Sequence, residues 1–161
     1  MAGPTSLSAA EVDQYSIRLC VQSGLTANGW TGSNAVPVKL AANGWPKPEA
    51  ITLPSIHVHV PDGALDSPEL GSHGKRREVK LYIFAPNDPS KIRLAEEVTN
   101  LFRDGTVSIL NFVSGSEVSP ASVGRYDVPE VGWRSIPMPT DAAEVDKYRA
   151  TVSATLRRVD A

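Results

Sequence analysis

His57 and His59 stand two residues apart in Ser55-Ile56-His57-Val58-His59-Val60, where apolar and polar residues alternate. Alternation of this kind describes a strand, so both imidazoles point the same way and could share a metal. Zinc would need a third ligand, with His73, Asp62 and Asp66 the nearest in sequence. A cupin-type site would need a glutamate a few residues after the pair, and the first one beyond it is Glu69. With 3 histidines in the chain there is no second histidine motif, so the ligand count weighs against a metal centre.

The other reactive-looking phrases fare no better. Ser114-Gly115-Ser116 and Gly71-Ser72-His73-Gly74 match neither a nucleophile elbow nor a phosphate-binding loop, and their composition is that of turns. Lys75-Arg76-Arg77 and Arg157-Arg158 are short basic clusters without interleaved aromatics to stack bases. A net charge of -2 also argues against a chain that wraps nucleic acid. These bases read better as a charge-paired interface, since Asp66 and Glu69 precede them and the same loop on an adjacent subunit would offer the opposite charge. Cys20 is alone, which rules out an internal disulfide and suits a reducing cytoplasm. No catalytic, cofactor-binding or metal residues are therefore assigned, and the chain is not expected to be an enzyme.

The elements around these residues begin with Ser8-Ala9-Ala10-Glu11, a capping box. It predicts a helix from about Ala9 to Ser23 with Val12, Tyr15, Leu19, Ser16 and Cys20 inward, ended by Gly24. From Leu25 to Leu53 no period survives. Asn28-Gly29-Trp30 and Asn43-Gly44-Trp45 form a near-duplication, read as two tight turns pinned by tryptophan or as an arm that docks on another subunit. Strands are expected at Ser55–Val60 and Arg77–Phe84, the latter with Val79, Leu81 and Ile83 on one face and Glu78, Lys80 and Tyr82 on the other. A long polar loop separates them.

Asp88-Pro89 predicts a helix start, with Ile92, Ala95, Val98, Leu101 and Phe102 inward and Gly105 as the stop. Thr106–Val113 reads as a buried strand. Two short strands are expected on either side of Pro129, and a long one over Lys147–Val159. The sum is an α+β fold: a single mainly antiparallel or mixed sheet, two helices packed on one face, and long loops, including those invited by 13 prolines and 12 glycines. One domain spans 1–161, with a helix and extended arm to about 54 and a sheet-and-helix core beyond. The first residues carry neither a basic nor an apolar leader region, and no apolar run is long enough to cross a membrane, so neither export nor membrane spanning is expected.

Several phrases resemble the tail terminator proteins of long-tailed bacteriophages: Glu69-Leu70-Gly71-Ser72, Val79-Lys80-Leu81-Tyr82-Ile83-Phe84-Ala85 and Leu94-Ala95-Glu96-Glu97-Val98. Val131-Gly132-Trp133-Arg134 and Tyr148-Arg149-Ala150-Thr151-Val152-Ser153-Ala154 extend the resemblance over roughly the last two-thirds of the chain. The resemblance implies a hexameric ring at the head-tail junction of a virion, assembled in the host cytoplasm. Such a ring caps the tail tube, meets the tube protein on one side and the connector or head-completion protein on the other, and lets DNA pass without sequence readout. Interface candidates are Asp66, Glu69, Lys75, Arg76, Arg77, Trp30, Trp45, Arg149 and Arg157. Alternatives are another neck, tail-completion or baseplate component, or a small metal-dependent enzyme using His57 and His59.

Overall fold

The alternation around Val79, Leu81 and Ile83 seeds the sheet, because a strand that buries every second residue needs a helix layer on that side only. In the computed structural model, residues 9–41, 51–60, 65–66, 75–105, 107–111, 121–136 and 148–159 are described. The elements in chain order are α1 (Ala9–Ala27), a 3-10 turn (Gly32–Asn34), β1 (Val38–Leu40), β2 (Ser55–His59), β3 (Leu65–Asp66), β4 (Lys75–Ala85), α2 (Asp88–Arg103), β5 (Ser108–Asn111), β6 (Ala121–Ile136) and β7 (Tyr148–Val159). They make one mixed sheet of order β1-β2-β4-β7-β6-β5, with β3 pairing the start of β4. Among the described residues β1 and β2 run parallel, and the other pairings are antiparallel. An α+β fold with one sheet and two helices is thus what the chain adopts.

Both helices lie on the face of Val79, Leu81, Ile83, Ala150, Val152, Ala154 and Leu156, all buried in one core with Ile17, Val21, Leu25, Leu94, Val98 and Phe102. α2 crosses β4, β7 and β6, whereas α1 touches β1 and β2 at one end of the strand order and β5 at the other. One helix can reach both ends only if the sheet curls around it. Each fully buried aliphatic side chain in such a core contributes about 1.5–3 kcal/mol.

Several expectations are corrected. Helix α1 runs through Gly24 to Ala27, because Gly24 serves close packing instead of termination: a Cβ there would lie 2.6 Å from Leu101 Cδ2 on α2. The stop comes from Asn28-Gly29, with Gly29 at φ +94°, a conformation that glycine adopts without strain. Of the expected inward stripe of α1, Ser16 is buried and Val12 and Cys20 pack against the core, but its centre is Asp13, Ile17, Val21 and Leu25 and not Tyr15 and Leu19.

On α2 the cap is Asn87, whose side chain accepts from Ser90 N at 2.9 Å, and Asp88 instead pairs with Lys91 Nζ at 2.6 Å. The expected inward residues Ala95, Val98, Leu101 and Phe102 are all buried, and the correction is at the start of the stripe. Ile92 is 40% exposed, while Leu94 and the stem of Lys91 pack inward. Pro129 does not split β6, since the register against β7 shifts between Asp127 and Glu130 and so relieves the proline of a ladder bond. The stretch after α1 is no free arm as far as Ala41, because β1 folds back to pair with β2 through Val38↔Ile56 and Leu40↔Val58.

Candidate functional site

Away from the helices, β2, β4, β7 and β6 align their outward residues in cross-strand rows. The registers give Ser55-Phe84-Arg149-Ile136, then His57-Tyr82-Thr151-Arg134, His59-Lys80-Ser153-Gly132, and, on β4, β7 and β6, Glu78-Thr155-Glu130. The first of these rows and part of the second are covered: Ser55, Phe84, His57 and Thr151 are buried. The remainder is open, with Glu78, Lys80, Ser153, Gly132, Glu130 and Arg134 exposed. A trough of about 480 Å³ runs over this part, and it is the candidate site.

Charged and hydroxyl side chains alternate along the strands beneath the trough, because a strand whose alternate residues already fill a core has no further use for apolar side chains on its outer face. Glu78 and Glu130 flank Thr155, and Lys80 and Arg134 follow in the next two rows toward the covered end. Among the described residues none of these four charges holds an ion pair or side-chain hydrogen bond. Beyond the acidic row, Arg157 Nη2 donates to Asp127 Oδ2 at 2.7 Å, with Arg125 Nε 3.9 Å from the same carboxylate.

The histidine pair is built into the covered end. His57 is 3% exposed; its Nε2 lies 3.2 Å from Ser55 Oγ, and its ring meets Phe84 edge-on at 5.5 Å. His59 Nδ1 donates to the Ala41 carbonyl at 3.0 Å, and the ring stacks on Tyr82 at 6.4 Å. Each imidazole thus has its own protein partners, and no group of three or more histidine, cysteine or carboxylate ligands forms among the described residues. Burial pushes the His57 pKa below 6.5, helped by the positive charge of Lys39 on β1. Burial likewise raises the Tyr82 phenol.

The His57 shift has a consequence for stability. An unfolded chain binds this proton more readily than the folded one, so the contribution is present in full above 6.5 and is lost as pH falls from there through the lowered folded value. Denaturant unfolding between pH 7.5 and 5 should show stability declining below about 6.5, and His57→Gln should flatten that slope. A slope unchanged in the variant would assign the proton uptake to another group.

The interface candidates scatter. Arg77 is 8% exposed and lies on the helix side, where its Nε donates to Asp13 Oδ2 at 2.7 Å while Tyr126 Oη donates to Asp13 Oδ1 at 2.5 Å. This corrects its reading as a surface cation: Arg77 shares strand parity with Val79, Leu81 and Ile83, and only the buried Asp13 makes that position tolerable for a charge. Trp30 is half-buried against the core. Arg149 is half-buried beside Phe84 in the covered row, and Arg157 is committed to Asp127. Asp66 sits opposite Lys75 in the β3–β4 register of the same chain, with Arg76 opposite Leu65. Glu69 and Trp45 lie outside the described residues, as do Asp62, His73 and the 114–116 phrase.

Glu130 and Arg134 were passed over in the sequence because Pro129 suggested two short strands. Their alternation with Val131, Trp133 and Ser135 was the available signal. Among the described residues no helix is long and apolar enough to cross a membrane. No protein-family model matches the chain, and no curated protein matches it. Among the solved structures similar to the chain, one has 18% identity over 92% of this chain and 96% of its own, with a TM-score of 0.45, too low to bear on fold or function.

Proposed function

We propose that this chain is a structural virion protein: a subunit of a hexameric ring that caps a phage tail tube and joins it to the head, without catalysis of its own. The observation that supports the reading is the division of the sheet into two faces. One is wholly committed to α1 and α2, and the other carries Glu78, Lys80, Glu130 and Arg134 exposed and unpaired among the described residues around an open trough. Charges of both signs spread along strands suit contacts with neighbouring subunits, where complementarity sets register and partner choice. A mixed face of this sort also suits a conduit wall, since it offers DNA no continuous cationic track to hold phosphates. The sequence resemblance names the ring, and the partners are the tail-tube protein and the connector or head-completion protein.

Native mass measurement of the purified protein, alone and with tail-tube protein, tests this. The expected result is a species with the mass of six 17.2-kDa chains, alone or seated on the tube protein. Compact monomers under both conditions contradict it.

A further inference from the structure

A curled sheet with two ends has two edge strands, and unpaired edges template strand addition. Here α1 occupies both. The bonds Ile56 N to Pro37 O and Ala41 N to Val58 O turn the odd-numbered residues of β1 toward β2, which leaves Val36 and Val38 facing outward. Gln22 on α1 meets them as a neighbouring strand would: Val38 N donates to its Oε1 at 3.0 Å, and its Nε2 donates to Val36 O at 3.1 Å. At the opposite end of the sheet, Leu110 N donates to Ser16 Oγ at 3.0 Å. Ser108 N reaches Cys20 Sγ at 3.5 Å, and that thiol returns a contact to Ser108 O at 3.7 Å. Three polar side chains of one helix thus satisfy outward backbone groups on two strands that are five places apart in the sheet order.

Apolar packing alone asks for none of this. Ile17, Val21 and Leu25 anchor the helix, and an alanine at position 16 or a methionine at 22 would serve the core as well. The polar residues sit where the edges need them. Burial keeps the Cys20 thiol protonated by raising its pKa, as a donor to a carbonyl must be.

We propose that α1 is a lock on both edges of the sheet, and that its withdrawal opens β1 and β5 to strand pairing with second copies of this chain. Released edges occur in pairs on every molecule, so each copy both offers and accepts a strand. A head-to-tail contact of that kind need not close. Val36 and Val38 on one edge and Ile109 on the other are residue types that favour such pairing. The inference does not rest on the ring reading, which concerns the outer face and not the edges.

The double variant Ser16→Ala, Gln22→Met keeps the helix and removes two of the caps. Hydrogen exchange at Val38 and Leu110 should accelerate about tenfold, as loss of one hydrogen bond implies. Light scattering should show mass rising with concentration as strands pair. Unchanged exchange at both amides overturns the lock, and fast exchange in a chain that stays monomeric overturns its role against pairing. Should the variant fail to fold, native-state exchange on the unmodified protein in low denaturant decides the matter. Val38, Ser108 and Leu110 are expected to open together with the amides of α1 and before those of β4 and β7; opening only with β4 and β7 overturns the proposal.

Discussion

Arg77→Met is expected to cost about 3–5 kcal/mol of folding stability, because it takes the guanidinium away from the buried Asp13 carboxylate, to which Tyr126 Oη also donates. Against a typical total of about 5–15 kcal/mol, that loss leaves the chain near its unfolding threshold at room temperature. The pair ties α1 to β4, and Tyr126 ties it to β6, so the effect falls on the docking of the first helix to the sheet. Changing both partners, Asp13→Leu with Arg77→Met, should recover most of the loss, since two apolar groups leave no charge without compensation. Denaturant midpoints for the wild type, both single variants and the double variant measure this as a cycle. A single-variant cost below about 1 kcal/mol would describe a solvent-screened pair and contradict the burial of both groups. Arg77→Glu, a charge reversal at a residue read from the sequence as an interface candidate, is expected to prevent folding by setting a second carboxylate beside Asp13.

Phe102→Ala should cost about 3–5 kcal/mol, while Ile92→Ala on the same helix should change stability by no more than about 0.5 kcal/mol. Phe102 is fully buried in the core between α2 and the sheet, so truncation leaves a cavity that the packed surroundings fill only in part. Ile92 is 40% exposed and projects from the other side. Thermal or denaturant unfolding of the two variants under one set of conditions fixes the rotation of α2 about its axis. Equal costs would mean that the inward stripe includes Ile92, as its spacing from Ala95 first suggested.

That contrast shows where sequence patterning ran out. Period-two alternation in β4 and β7 was legible because every inward position from Val79 to Ile83 and from Ala150 to Leu156 is apolar, and the sheet face followed from it. Helical stripes were less legible where polar residues face inward for polar reasons. Spacing places Ser16 inward but not Asp13 on the same buried side, since its partners Arg77 and Tyr126 lie far along the chain, as does the Leu110 amide that Ser16 meets. No local pattern reports a partner 64 or 94 residues away.

Pro129 misled in the opposite direction. A proline usually ends a ladder, but a register shift lets β6 continue to Ile136, and that continuation places Glu130 and Arg134 on the outer face. Of the candidate site, the β4 and β7 contributions were visible in sequence, as Glu78, Lys80 and the hydroxyl residues of the last strand. The β6 contribution was not. Nor was the closure of the edges, since a glutamine inside a helix carries no sign that its amide completes a strand.

Imaging of particles that carry this chain bears most directly on the proposed role. A sixfold ring of this fold at the head-tail junction, with Glu78, Lys80, Glu130 and Arg134 turned toward neighbouring subunits or the lumen, is the expected density. Finding the chain elsewhere in the particle, or in a ring whose subunits leave that trough facing bulk solvent, would contradict it.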